Sequence, residues 1–68
     1  MIGDNIRKAR KSKGLKIKEI SEKSGYAYNH ISKIEHNHLT PKITTVIDIS
    51  DVLGVSIDEL VGHEVKDG

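Results

Sequence analysis

An all-α fold, a compact bundle of five short helices, is what this chain of 68 residues predicts. Three observations carry that expectation. Apolar residues recur at helical spacing through most of the chain, and nowhere do apolar and polar residues alternate as in a half-buried strand. Glycines 14, 25 and 54 close these patterns, because a chain leaving a helix favours the left-handed conformation that glycine enters at little steric cost. Between Ile17 and Glu35 (IKEISEKSGYAYNHISKIE) two helical patterns follow one another across a three- or four-residue turn.

The first helix is expected over Ile2 to Lys13. Ile2, Ile6, Ala9 and Arg10 fall at core-facing spacing, and the rest of that surface is basic. Gly14 caps it, Lys11 and Lys13 complement the negative end of its dipole, and Leu15 turns back into the core. The second helix, near Ile17 to Ser24, lacks a good cap, since Lys16 stands where Ser or Thr would serve better. Glu19 and Glu22 partly offset this by lying near its positive end.

The third helix runs from Ala27 or Tyr28 to His36. Ala27 offers no side-chain acceptor, and Asn37 is the best remaining choice for a left-handed C-terminal cap after glycine. Thr40-Pro41 then supplies a hydroxyl cap and a first-turn residue for the fourth helix. Ile43, Val46, Ile47, Ile49, Val52 and Leu53 form a wide apolar stripe there, with Asp48 and Asp51 outside. The fifth helix opens with the capping box Ser56-Ile57-Asp58-Glu59 and buries Ile57, Leu60 and, at its edge, Val61. The folded domain is expected to be residues 1–61, with 62–68 a flexible C-terminal tail.

Along the third helix Ile31 and Ile34 point one way, while Tyr28, Asn29, Ser32, Lys33 and His36 share the opposite face. Two short helices across a tight turn, the second apolar inside and hydrogen-bonding outside, describe a helix-turn-helix. Each outer side chain can donate or accept at the base edges or phosphates of a DNA groove. Charge is distributed accordingly. The net charge of +1 conceals nine Lys and Arg against three acids in residues 1–33, and two against seven in residues 34–68. A solvated helix surface would account for such counts as well, but the polarity suits an anionic ligand for the first half and a different task for the second.

A chain this short buries only about 60% of its unfolded surface, so its stability is roughly 3–5 kcal/mol unless dimerisation raises it. There is no Cys, hence neither a disulfide framework nor a thiolate metal site, and a reducing, cytoplasmic setting is expected. The amino terminus has no apolar run of signal-peptide length, and nowhere do ~18 apolar residues run together, so no membrane association is expected.

One ordered set of residues is more specific than any of its parts: Ile6 through Lys13-Gly14-Leu15, Glu19-Ile20, Gly25, Ile31-Ser32-Lys33-Ile34-Glu35, Pro41, and Leu53-Gly54-Val55-Ser56-Ile57-Asp58-Glu59-Leu60. It resembles the Cro/lambda-repressor-type helix-turn-helix domains, the xenobiotic-response-element (XRE) family of regulators, over about residues 2–61. The resemblance implies a lambda-repressor-like bundle whose second and third helices form the helix-turn-helix, with the third entering the major groove. The base-reading positions of such domains match Ala27, Tyr28, Asn29 and Lys33, with Ser32 close by. Side-chain chemistry agrees for three of these: Asn29 suits a bidentate contact to adenine, Lys33 reaches guanine acceptors or a phosphate, and Tyr28 stacks on or bonds to the backbone. Ala27 has only a thymine methyl to touch. The family's phosphate contacts match Ile17, Lys18, Asn37, His38, Lys42 and Thr44, aided by backbone N–H groups at helix starts. Arg10 and Glu35 match a family pair that forms a partly buried, structural salt bridge.

The chain departs from the family at several positions. Ile17 stands where relatives commonly place a phosphate-contacting Gln, Ser21 and Ser50 where they place Ala, and Lys16 and Ala27 at the usual Ser/Thr caps. Each missing cap costs ~1 kcal/mol. Either Ile17 is an exposed contact for a protein partner, or Lys16 and Lys18 take over the phosphate work as plain charges; the abundance of cations favours the second. Tyr26, where the family has a buried aliphatic, reads as turn and core packing.

Four histidines raise the question of a metal. His30 and His36 point about 120° apart on one helix, and neither Cys nor a facing carboxylate completes a set with His38 or His63, so no metal site is expected. His36 and His38 instead face phosphate or solvent and would strengthen DNA binding at acid pH. No catalytic constellation is visible and an enzyme-sized pocket would consume the core, so no enzymatic activity, cofactor or small-molecule ligand is expected. The sequence therefore predicts a sequence-specific double-stranded DNA-binding transcriptional regulator of repressor type. As a homodimer it would read a palindromic operator with half-sites roughly 10 bp apart. Ile47, Val52, Ile57, Val61 and Val65 are the expected dimer contacts. The alternative is a protein-interaction module of the same fold, an adaptor or antitoxin-like partner, docking through Ile17, Tyr28 and the acidic half.

Overall fold

The computed structural model describes residues 1–62 and, among them, five helices and no strand: α1 (Ile2–Ser12), α2 (Ile17–Ser24), α3 (Tyr28–Glu35), α4 (Ile43–Leu53) and α5 (Ile57–Val61). Every helix contributes to one core of Ile6, Ala9, Ile20, Ile31, Ile34, Val46, Ile49, Leu53 and Leu60. α1 packs on α3 and α5, α2 on α3 and α4, and α4 on α5. No helix could bury its apolar stripe alone; each buried Ile or Leu is worth about 1.5–3 kcal/mol only because the others close over it.

The helix ends follow local chemistry. Past α1, Gly14 takes φ 72°, and the Leu15 N–H returns to the Arg10 carbonyl at 3.1 Å, which aims Leu15 at the core. α3 ends in a paired motif: the Asn37 N–H bonds the Ile34 carbonyl at 3.0 Å and the His38 N–H bonds the Lys33 carbonyl at 2.8 Å, with Asn37 left-handed at φ 61°. Ser56 caps α5 by accepting from the Glu59 N–H at 3.1 Å. At α2 the Lys16 ammonium cannot accept, and the Glu19 carboxylate takes the Lys16 N–H at 2.8 Å instead.

The fourth helix differs from its sequence reading. Thr40 does not cap it and Pro41 stays outside; the N-cap is Lys42, extended at ψ 159°, and α4 begins at Ile43. With that phase the buried face is Thr45, Val46, Ile49, Ser50 and Leu53. Ile43 and Ile47 stand about 120° and 160° from Ile49 around the helix, and they remain 61% and 38% exposed. The apolar stripe is narrower than the composition suggested. Val61, one residue past buried Leu60 and so about 100° round, is likewise exposed rather than buried.

The two serines at close-packed positions bond locally. Ser21 Oγ donates to the Tyr26 carbonyl at 2.6 Å, and Ser50 Oγ to the Ile47 carbonyl at 2.7 Å. Among the described residues no buried side-chain nitrogen or oxygen lacks a partner, so neither hydroxyl carries a desolvation cost.

Candidate nucleic-acid interface

The inner face of α3 is anchored by Ile31, Ile34 and Glu35, all buried. Its outer face leaves Tyr28, Asn29, Lys33 and, just past its end, His36 exposed, with Ser32 half-buried between them. Ala27 is exposed at the N-cap. Two polar devices fix the helix. At its end, Arg10 Nε and Nη2 donate to Glu35 Oε2 and Oε1 at 2.7 and 2.9 Å, and Arg10 Nη1 donates to the Leu15 carbonyl at 2.8 Å. The hydrogen bonds that Arg10 donates to Glu35 raise the Arg10 pKa above its ordinary value, outweighing the opposing effect of burial.

At the start of α3 the device is Tyr26. Its N–H donates to Ser24 Oγ at 3.2 Å, its carbonyl accepts from Ser21, and its hydroxyl donates to Asp48 Oδ2 on α4 at 2.6 Å. The His30 imidazole meets the Tyr26 ring edge-on, with centroids 5.4 Å apart. One half-buried tyrosine therefore joins α2, the turn, α3 and α4. The sequence reading gave Tyr26 packing alone; the link to Asp48, 22 residues on, has no sequence signal, whereas the i,i+4 pairing with His30 was readable.

Around this face the starts of α2, α3 and α4 have no side-chain cap, because Lys16, Ala27 and Lys42 supply no acceptor. The first intrahelical bond of α3 is Ile31 N–H to the Ala27 carbonyl, and that of α4 is Val46 N–H to the Lys42 carbonyl. The N–H groups before them have no partner within their helices, and they carry the positive end of the helix dipole. Lys16, Lys18, Lys42 and Thr44 are exposed beside these starts. Ile17 is not the exposed contact considered from sequence: it is half-buried and packed against the core.

His36, Asn37 and His38 are exposed beyond α3. The His36 ring bonds through Nδ1 to the Ser32 carbonyl at 2.8 Å, so Nδ1 carries the proton there, and the His36 and His38 rings lie 6.1 Å apart. The Asn37 amide is already engaged, donating to Asp4 Oδ1 at 3.1 Å. No group of three His, Cys, Asp or Glu among the described residues is placed to hold a metal. No described helix is long and apolar enough to cross a membrane. Of the expected dimer contacts, Ile47 and Val61 are exposed, Val52 and Ile57 are half-buried against the core, and Val65 lies outside the described residues, as does His63.

The helix-turn-helix family profile matches residues 6–60. The chain is 33% identical over 61 residues to an HTH-type transcriptional regulator of Sinorhizobium fredii, y4dJ, covering 90% of this chain and 79% of that protein. It is 42% identical over 69 residues to the HTH-type transcriptional regulator SinR of Bacillus subtilis, covering 97% of this chain but 62% of SinR, so that it spans about three-fifths of that relative. The solved structure of a SinR protein/SinI protein complex superposes with a TM-score of 0.84 at 41% identity, over 100% of this chain and 69% of that one. Bundle, turn and sequence agree, and this chain belongs to the XRE-type helix-turn-helix family of DNA-binding transcriptional regulators.

Proposed function

We propose that the protein is a repressor that binds a palindromic operator as a dimer, regulates by binding rather than catalysis, and acts in the cytoplasm. The observation that carries this reading is the outer face of α3, where the Asn29 and Lys33 side chains are exposed. α3 enters the major groove there; Asn29 and Lys33 read base edges, Tyr28 and Ser32 flank them, and Ala27 faces a thymine methyl. Lys16, Lys18, Lys42 and Thr44, with the uncapped starts of α2 and α4, take the phosphates on either side, and His36 and His38 add contacts at the far end. Ile47 and Val61, with Val52 and Ile57 at their margins, form the patch that meets a second copy.

A titration of labelled duplex under rising salt tests this. Three lysine–phosphate contacts in each subunit, from Lys16, Lys18 and Lys42, predict a slope of log K against log salt of about −5.4 for the dimer. Retention that does not change with salt would instead favour a protein-interaction module, a reading supported by the exposed Tyr28, Leu39, Ile43 and Ile47 and by the SinR protein/SinI protein complex.

A further inference from the structure

Asn37 is the one non-glycine residue with positive φ among the described residues; Gly14, Gly25, Gly54 and Gly62 serve the other helix ends. An asparagine pays a steric penalty there that glycine avoids, and its side chain is what it adds. That side chain donates through Nδ2 to Asp4 Oδ1 at 3.1 Å, across 33 residues of sequence. Immediately beside it, Gly3 is buried, and a β-carbon there would collide with the Ile34 carbonyl oxygen and with the Asn37 side chain. The first turn of α1 thus lies directly against the last turn of α3, and Asp4 grips the loop that follows.

We propose that Asp4 is a positioning residue for DNA binding: through Asn37 it fixes the end of the recognition helix, and with it the places of His36 and His38, so that Asn37 itself makes no phosphate contact. The inference rests on the reading of α3 as the DNA-facing helix. It makes an unusual prediction of sign. Asp4 is an exposed anion on a basic helix, and on charge alone its removal should tighten binding to DNA. If it positions the helix end, its removal weakens binding.

The experiment uses the full chain with Asp4→Ala, Asp4→Asn, Asn37→Gly and the Asp4→Ala/Asn37→Gly double variant. Melting, affinity for duplex selected by the wild type, and amide hydrogen exchange are measured on each. Asn37→Gly keeps the left-handed turn at lower steric cost, so this variant folds. Asp4→Ala and Asn37→Gly are each expected to lose affinity roughly three- to tenfold, the size of one hydrogen bond, and the double variant no more than either. Asp4→Asn, which keeps an acceptor oxygen, restores binding. Exchange at the Asn37 and His38 N–H groups quickens in Asp4→Ala while core amides are unchanged, which a general loss of stability would not produce. Unchanged or tighter binding by Asp4→Ala would overturn the proposal, and so would additive losses in the double variant, which would mean that Asn37 meets phosphate directly. If the wild type selects no duplex at all, the reading of α3 fails and the DNA role of Asp4 with it. Exchange at Asn37 and His38 then still decides whether Asp4 holds the helix end.

Discussion

Arg10 grips Glu35 with two parallel hydrogen bonds while both side chains are largely shielded from water, 12% and 1% exposed, and this pair fastens α1 to the end of α3. Removing one partner strands a buried charge. Arg10→Met should therefore cost about 3–5 kcal/mol, on the scale of the whole stability of a domain this small. Replacing both partners, as in Arg10→Met/Glu35→Leu, should restore most of it. Urea unfolding of the three proteins checks this; an Arg10→Met variant that folds normally but loses sequence preference would show that Arg10 belongs to DNA reading.

The same pair sets a pH expectation. The Arg10 pKa is raised, chiefly by its hydrogen bonds with Glu35. A raised cationic group contributes its full stability below its unfolded pKa and loses it only as pH climbs through the folded value, far above neutrality. Arg10 therefore stays charged from about pH 6 to about pH 9, and its own titration should add no pH dependence to the unfolding of the wild type in urea over that range.

Tyr26→Phe removes the hydroxyl that reaches Asp48 but keeps the ring against His30. Asp48 is exposed and can turn to water, so the loss should be only about 0.5–1 kcal/mol. Thermal melting would register it, and a loss above about 3 kcal/mol would mean that the ring itself had moved.

These two tethers show what was and was not legible in the sequence. Helix number, the turn at Gly25 and the inward set of Ile6, Ile20, Ile31, Ile34, Ile49 and Leu60 follow from spacing, because a period of 3.6 fixes which side chains can meet. The outer face of α3 was readable for the same reason. Ile43 misled because composition marks a residue as apolar without giving the phase of the helix, which the extended Lys42 sets one residue after Pro41. At Ile17 the sequence left two accounts open, and its packing against the core speaks against the exposed protein contact. Contacts such as Tyr26 to Asp48 and Asn37 to Asp4 join distant segments, and no local pattern announces them.

Gly3→Ala tests the close approach of α1 to α3. Alanine favours an isolated helix over glycine by about 1 kcal/mol, yet here its β-carbon meets the Ile34 carbonyl and the Asn37 side chain. Overpacking should win, with a net loss of about 1–3 kcal/mol in urea unfolding.

Lys16→Gln and Lys18→Gln should each flatten the salt dependence of DNA binding by about 1.8 in slope for the dimer, about 0.9 for each subunit, while leaving base preference intact, because a phosphate contact carries no sequence information. Anisotropy titrations at several salt concentrations read the slope directly.

The central claim, that α3 reads DNA sequence, is tested most directly by selection from a random duplex library, sequenced, with Asn29→Ala/Lys33→Ala run in parallel. A symmetric motif enriched by the wild type, and lost or relaxed in the double variant while its fold is unchanged, is the predicted result. Enrichment of the same motif by both proteins would contradict the assignment of reading to α3. No enrichment by the wild type would contradict specific DNA recognition itself.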